Sequence, residues 1–221
     1  ALTNAGVNVN PTMKSIYEAW NSNRANNLVQ PGWASNKTYD FKFDVRETST
    51  AFMTEQNADY ASSFESYNDA AIVVLGRTNG EGADYKPGTE GVVQPGDAGA
   101  VDVGEENAQR NAHALSPNEK ATIELAKSNF DRVIVLLNNV SAMEVHELNE
   151  DAGIDAIMWV GLPATYGVDG IANLLLGEAN PSGGLYDTYA SDTAANPAMM
   201  NFGHYELTNG NLIDPSKQGE R

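Results

Sequence analysis

The chain of 221 residues has no cysteine, and this absence excludes disulfides and thiolate chemistry. Basic residues are also scarce: 13 Lys and Arg stand against 30 Asp and Glu, which gives a formal net charge of −17. Nucleic acids and anionic membrane surfaces both bind proteins through clustered Lys and Arg. The composition therefore argues against nucleic acid and membrane partners.

Long apolar runs are missing as well, and none comes near the ~20 residues that a membrane-spanning helix requires. With 41% hydrophobic residues the chain has an ordinary globular composition, and its length suffices for one substantial core. Neither an internal repeat nor an interdomain linker is visible. We predict a single domain over residues 1–221, with 190–221 as a polar tail or linker.

The chain begins at Ala1 without a methionine or a signal-type segment, which favours a processed or excised piece. The chain is expected to be soluble, and its localisation stays open, because a bacterial cytoplasmic protein and a secreted one both fit the composition.

Three short apolar runs, at residues 70–75, 133–137 and 154–160, are typical of fully buried strands. Helices are predicted around them, from Pro11, over 51–68, from a Ser116 cap with Glu119 at the third position to about 128, around 142–151, and over 168–176 with a stop at Gly177. Buried strands that alternate with helices predict an α/β fold. We expect a three-layer sandwich with a mostly parallel central sheet flanked by helices.

The loop after the first of these strands carries two carboxylates, Glu81 and Asp84. Gly80 and Gly82 flank Glu81, so the backbone there can adopt conformations closed to other residues and can approach another surface closely. Ligands of open α/β sheets bind just beyond the carboxyl ends of the strands. Glu81 is therefore a candidate catalytic acid or base.

The order of the motifs resembles glycoside hydrolase family 3 over residues 60–190. The similar stretches are 69–84, 115–119, 133–138, 155–163 and 174–183, the last of which is similar to the family's closing signature. The resemblance implies the family's second domain, a six-stranded α/β sandwich that β-glucosidases and related exo-enzymes pair with a (β/α)8 barrel. Such a barrel needs about 200 residues by itself, so we expect it outside this chain, and we expect the sandwich to be truncated at its start.

In many members of that family a loop of the form Gly-Glu-Gly-x-Asp-Arg supplies the catalytic acid/base. Here the pattern falls on residues 80–85, with Tyr85 in the place of the arginine. The resemblance thus implies that Glu81 is the general acid/base, while the nucleophilic aspartate belongs to the barrel. Asp84 is expected either to raise the pKa of Glu81 by its charge or to bind a sugar hydroxyl. Residues 164–167 also depart from the family's usual turn, so sugar specificity stays open.

Two further residues are predicted to bind substrate. Arg77 is interpreted either as a group that steadies the loop by pairing with Asp84 or Glu81, or as a surface arginine. Tyr166 follows the third strand and is predicted to stack on a sugar, whereas Trp159 fits the core. No cofactor is predicted, and no metal site, because the three histidines lack ligand spacing.

The first functional hypothesis is a part of an enzyme. In it, the chain is the sandwich domain of a retaining, exo-acting β-glycosidase of the β-glucosidase type, with a β-linked glucoside or oligosaccharide as substrate and the barrel domain as partner. The isolated chain is then expected to have no turnover. The alternative is a non-catalytic carbohydrate-binding or interaction module of the same fold. A flavodoxin-like nucleotide binder is disfavoured, because no phosphate-cradling loop is present.

Overall fold

The computed structural model describes residues 1–25, 47–77, 113–140, 142–193, 195 and 197, and two short strands near the end of the chain. A three-stranded sheet in the order β1-β2-β3 is formed by β1 (Ala71–Gly76), β2 (Val133–Asn138) and β3 (Ala156–Trp159). Both pairings are parallel, with Val73 opposite Val135 and Val135 opposite Ile157. The predicted α/β fold with a parallel sheet is confirmed.

The helices of the described residues are α1 (Pro11–Ala25), α2 (Thr50–Gln56), a 3-10 helix (Tyr60–Ser66), α3 (Pro117–Asn129), α4 (His146–Glu150) and α5 (Ala164–Leu175). Among these residues, no helix is both long and apolar enough to cross a membrane. Within the segment predicted as a polar tail, β4 (Leu207–Thr208) pairs antiparallel with β5 (Leu212–Ile213).

The single helix predicted over 51–68 is wrong, because the chain leaves the helix at Asn57. The backbone of Asn57 is extended, and its side-chain oxygen accepts the N–H of Asp59 at 3.0 Å. A short amide side chain competes in this way with the helical hydrogen bonds of the backbone. The chain continues as the 3-10 helix, whose Tyr60 and Phe64 are buried. The helix predicted around 142–151 is also shorter than expected, since α4 has one turn and a half.

The end of α5 confirms the predicted stop at Gly177. This glycine has a positive φ of 75°, a conformation that favours residues without a β-carbon. Its N–H donates to Leu174 O at 3.1 Å, and the N–H of Glu178 donates to Asn173 O at 2.9 Å. These two bonds close the helix with a Schellman motif. The helix begins at Ala164, earlier than the predicted residue 168.

Helix α3 lies between two apolar clusters. Toward the sheet, its Ile123 and Ala126 join a cluster that includes Val73, Leu75, Val133, Val135, Leu137 and Leu148. Away from the sheet, Leu125 joins a second cluster, which we call the outer cluster and which consists of Ile16, Met53, Tyr60, Phe64 and their neighbours. The same helix therefore connects the sheet to the N-terminal helices.

Candidate functional site

The carboxyl ends of the three parallel strands meet at one edge of the sheet, the place where open α/β sheets bind ligands. We call it the carboxyl edge. β1 ends at Gly76, which lies opposite Asn138 at the end of β2, and β3 ends at Trp159. Arg77 and Asn139 follow the first two strands directly.

Several of the predicted site residues lie outside the described part of the chain: Gly80, Glu81, Gly82 and Asp84. Their roles stay predictions. The described chain stops at Arg77 and resumes at His113.

The side chain of Arg77 is buried, with 5% of the residue exposed, so the interpretation as a surface arginine is wrong. Its guanidinium forms a two-pronged ion pair with the carboxylate of Glu119, in which Nη2 donates to Oε2 at 3.0 Å and Nη1 donates to Oε1. Two main-chain oxygens accept from it as well, Gly76 O at 2.7 Å and Ala114 O at 2.8 Å. The predicted pairing with Glu81 or Asp84 lies outside the described residues, and the predicted substrate contact stays a prediction.

Glu119 also holds the start of α3, as the sequence predicts. Its N–H donates to Ser116 Oγ at 3.1 Å, and its Oε2 accepts the N–H of Ser116 at 2.7 Å. This reciprocal capping box satisfies two backbone donors at the helix terminus. The sequence analysis missed the second role of Glu119, the ion pair with Arg77. The sequence carries one signal for this ion pair, an arginine placed directly after a strand that is predicted to be buried. Charged side chains inside proteins are almost always paired, so such an arginine calls for a carboxylate partner.

The chain that returns to the carboxyl edge is tied to the loop after β2. The N–H of Glu144 donates to His113 O at 2.8 Å, and His113 Nδ1 lies 3.0 Å from Ala142 O. The contacts of Arg77 and His113 thus fix the two described residues that flank positions 78–112.

Polar contacts also order the middle of the edge. Asn138 Nδ2 donates to Gly161 O at 2.5 Å, and Trp159 Nε1 donates to Asn139 O at 2.9 Å and to Asn139 Oδ1 at 3.1 Å. Gly161 is buried with a φ of 59°, and a β-carbon there would come within 3.2 Å of the Trp159 ring. Trp159 packs against the cluster of the sheet, which agrees with its predicted place in the core. Asn139 is fully buried, and its Nδ2 has no hydrogen-bond partner among the residues that the structure describes.

Exposed aromatic side chains follow β3. Tyr166 lies in the first turn of α5 and is 89% exposed, and Tyr186 is 59% exposed. The ring of Tyr186 lies 5.3 Å from that of Trp159, and its hydroxyl donates to Val140 O. The position of Tyr166 after the third strand is as expected, and its stacking on a sugar stays a prediction.

A second carboxyl group, that of Glu47, is half-buried beside Thr122, which lies one turn along α3 from Glu119, and no sequence pattern identified it. Its Oε1 accepts from the hydroxyl of Tyr17 at 2.5 Å and from that of Thr122 at 3.2 Å. Burial raises the pKa of Glu47 to about 7; the charge of Glu119 adds to the rise, while the two hydroxyl hydrogen bonds oppose it. Burial and the neighbouring carboxylate raise the pKa of Tyr17.

A family model described as "Glycosyl hydrolase family 3 C-terminal domain" matches residues 4–218. The chain is 29% identical over 150 residues to "Beta-glucosidase A" of Butyrivibrio fibrisolvens, which covers 65% of this chain and 18% of that protein. It is 30% identical over 135 residues to "Beta-glucosidase" of Ruminococcus albus, covering 61% of this chain and 12% of that protein. The chain therefore spans less than a fifth of the length of these relatives.

Among solved structures, a β-glucosidase from Paenibacillus barengoltzii matches with a TM-score of 0.58 and 24% sequence identity. The match covers 89% of this chain and 18% of that protein. At this level of identity the likeness concerns the fold, and it agrees with the α/β architecture described above.

Proposed function

Because the chain belongs to glycoside hydrolase family 3, as the C-terminal domain of β-glucosidase-like proteins, we propose that it supplies the general acid/base of a retaining, exo-acting β-glycosidase. Glu81 is the proposed acid/base, and a (β/α)8 barrel of the same enzyme supplies the nucleophilic carboxylate. The substrate class is a β-linked glucoside or oligosaccharide. Residues 1–221 form one sandwich domain in this proposal, with 190–221 as a polar tail or linker.

The observation that carries the proposal is the position of Arg77 at the carboxyl end of a parallel strand. Glu81 follows Arg77 by four residues, and four residues span at most about 14 Å. Covalent geometry therefore keeps Glu81 near the edge at which α/β sheets bind ligands. The names of the relatives support a β-glucoside as the substrate.

The proposed reaction has two steps. In the first, the protonated carboxyl of Glu81 donates its proton to the glycosidic oxygen while the carboxylate of the barrel attacks the anomeric carbon, so that the alcohol leaves. In the second, the carboxylate of Glu81 takes a proton from water, whose oxygen displaces the carboxylate of the barrel and restores the original configuration. The negative charge of Asp84 favours the first step, because it raises the pKa of the acid.

Tyr166 is proposed to contact the sugar or the aglycone. Its exposed ring stands in the first turn of the helix that follows β3, on the side of the sheet's carboxyl ends. Aromatic faces of this kind offer an apolar surface with a polar tip. Its part in the proposal is binding rather than proton transfer.

Activity measurements on the isolated chain test the proposal. The chain alone is expected not to hydrolyse an aryl β-glucoside, because the nucleophile is absent, and addition of the barrel domain is expected to restore hydrolysis. With a Glu81→Gln chain, the rate of hydrolysis in the presence of the barrel should be lower by a factor on the order of a hundred or more, since general acid catalysis typically contributes that much. Hydrolysis by the chain alone that Glu81→Gln abolishes would overturn the division of the site between two domains.

Titration of the isolated chain with cellobiose separates the proposal from a non-catalytic binding module. The proposal expects little binding, because the barrel forms most of the sugar site. Tight binding that is insensitive to Glu81→Gln, together with no activity in the presence of the barrel, would favour the module.

A further inference from the structure

One buried guanidinium holds both ends of the segment that contains Glu81. Arg77 stands where the chain leaves β1, and it donates to Gly76 O at 2.7 Å. The same group donates to Ala114 O at 2.8 Å, where the chain returns toward α3. Residues separated by 37 positions in the sequence are thus joined by a single side chain.

The carboxylate of Glu119, which accepts the hydrogen bonds of Arg77, is itself held in place by α3. Glu119 is tied to Ser116 through the capping box at the start of α3, and this helix packs on the sheet through Ile123 and Ala126. The carboxylate keeps its place independently of Arg77, because its backbone belongs to a packed helix. Arg77 is therefore held between the strand on one side and the helix on the other.

Stabilisation alone does not account for this arrangement. Apolar residues of similar volume often replace a buried ion pair without loss of stability. The bidentate fork of an arginine, in contrast, fixes both distance and direction. The two side chains are 3% exposed, whereas those of the neighbouring pair Lys120–Glu147, which joins α3 to α4, are 49% and 47% exposed. The buried pair Arg77–Glu119 therefore has the fixed geometry that is needed to position neighbouring residues. The exposed pair Lys120–Glu147 serves as the control for loss of an ion pair near α3.

We propose that Arg77 and Glu119 are positioning residues for the general acid, because their ion pair fixes the described residues that flank the segment carrying Glu81. The inference rests on the proposed role of Glu81. Proton transfer depends steeply on geometry, and a misplacement of 1 Å can cost on the order of a hundredfold in rate. Loosening the pair should then impair the step that needs the acid more than the step that does not.

Two substrates distinguish this role from a structural one. Methyl β-glucoside needs a proton on its leaving oxygen, whereas 2,4-dinitrophenyl β-glucoside releases a stable anion without one. The ratio of kcat/KM for the two substrates cancels the fraction of folded enzyme, so a loss of stability does not change it. The enzyme completed by its barrel is compared with its variants Arg77→Lys and Glu119→Asp, which keep both charges but break the bidentate fork.

The ratio of kcat/KM for the methyl substrate to that for the dinitrophenyl substrate is expected to fall at least about tenfold in both variants. It should stay unchanged in Lys120→Met, and Glu81→Gln should lower it further than either variant. An unchanged ratio in Arg77→Lys and Glu119→Asp, with a lowered ratio in Glu81→Gln, would overturn the positioning role alone. An unchanged ratio in Glu81→Gln would overturn the proposed acid, and this inference with it.

Discussion

Two carboxyl groups lie near the start of α3, and their surroundings differ: Glu119 is buried, and Glu47 is half-buried. Glu119 meets the guanidinium of Arg77 at the carboxyl edge, while Glu47 accepts hydrogen bonds from the hydroxyls of Tyr17 and Thr122 beside the outer cluster. A matching cation fixes the position of a carboxylate through directed bonds. Hydroxyls compensate burial only in part, so the pKa of Glu47 rises to about 7. Glu119 therefore fixes the position of Arg77, whereas Glu47 makes the stability of the fold depend on pH.

The largest effect is expected from removal of the cation. Arg77→Met leaves Glu119 buried without its partner, and breaking a buried ion pair in this way costs about 3–5 kcal/mol. The free energy of unfolding of the 221-residue chain, measured with urea at pH 7, should fall by that amount.

Two further variants sharpen this test. Adding Glu119→Gln to Arg77→Met should recover part of the loss, because glutamine keeps the capping box and carries no charge. Lys120→Met, which breaks the exposed pair between α3 and α4, should change stability by less than about 0.5 kcal/mol. A loss in Arg77→Met no greater than that in Lys120→Met would show that the buried pair is not an anchor.

The second effect concerns pH. Burial raises the pKa of Glu47 from 4.5 to about 7, so between these values the folded chain binds a proton that the unfolded chain has released. Stability from this group is therefore complete below pH 4.5 and is lost as the pH rises through 7. The loss over the whole range should amount to about 3 kcal/mol, and Glu47→Gln should remove it.

Urea denaturation of both chains at several pH values checks this prediction. The variant should be close to the parent at pH 5 and gain relative stability up to pH 8, because other titrating groups cancel in the difference. A difference in the free energy of unfolding between the two chains that stays constant from pH 5 to pH 8 would contradict the raised pKa of Glu47.

A smaller difference in stability is expected between alanine variants of two glycines that follow β3, Gly161 and Gly170. Gly161→Ala should destabilise the chain by about 1–2 kcal/mol, because a residue with a β-carbon is strained at positive φ. The new methyl group would also press on the Trp159 ring, 3.2 Å from the added carbon. Gly170→Ala, inside α5 and with no described atom outside the helix's own backbone within 4 Å of the added carbon, should instead stabilise the chain by about 0.5–1 kcal/mol. Equal thermal shifts in the two variants would contradict the described conformation of Gly161.

Local chemistry accounts for the parts of the fold that the sequence predicted. The capping box at Ser116 and the stop at Gly177 depend on neighbouring residues, and the strands depend on short apolar runs. The sequence did not predict the break at Asn57, because the apolar pattern continues through this residue. The helix ends there where the side chain of Asn57 accepts a hydrogen bond from the backbone N–H of Asp59.

The contacts of the candidate site were less accessible to prediction. Arg77 and Glu119 are separated by 42 residues, and Glu47 and Thr122 by 75, so only the packing of the helices brings them together. Sequence patterns suggested that Arg77 had a role in the loop and that Glu119 capped a helix. The bond between them could not be inferred from either pattern, because it depends on tertiary structure.

The central claim is that Glu81 is the acid/base of a retaining glycosidase, and the product of azide rescue tests it most directly. In the enzyme completed by its barrel, Glu81→Ala leaves room for azide, which attacks the glycosyl-enzyme from the face that water normally uses. With 2,4-dinitrophenyl β-glucoside, we expect azide to accelerate turnover and to yield β-glucosyl azide, identified by NMR. Formation of the α-azide, or no acceleration by azide, would contradict the assignment.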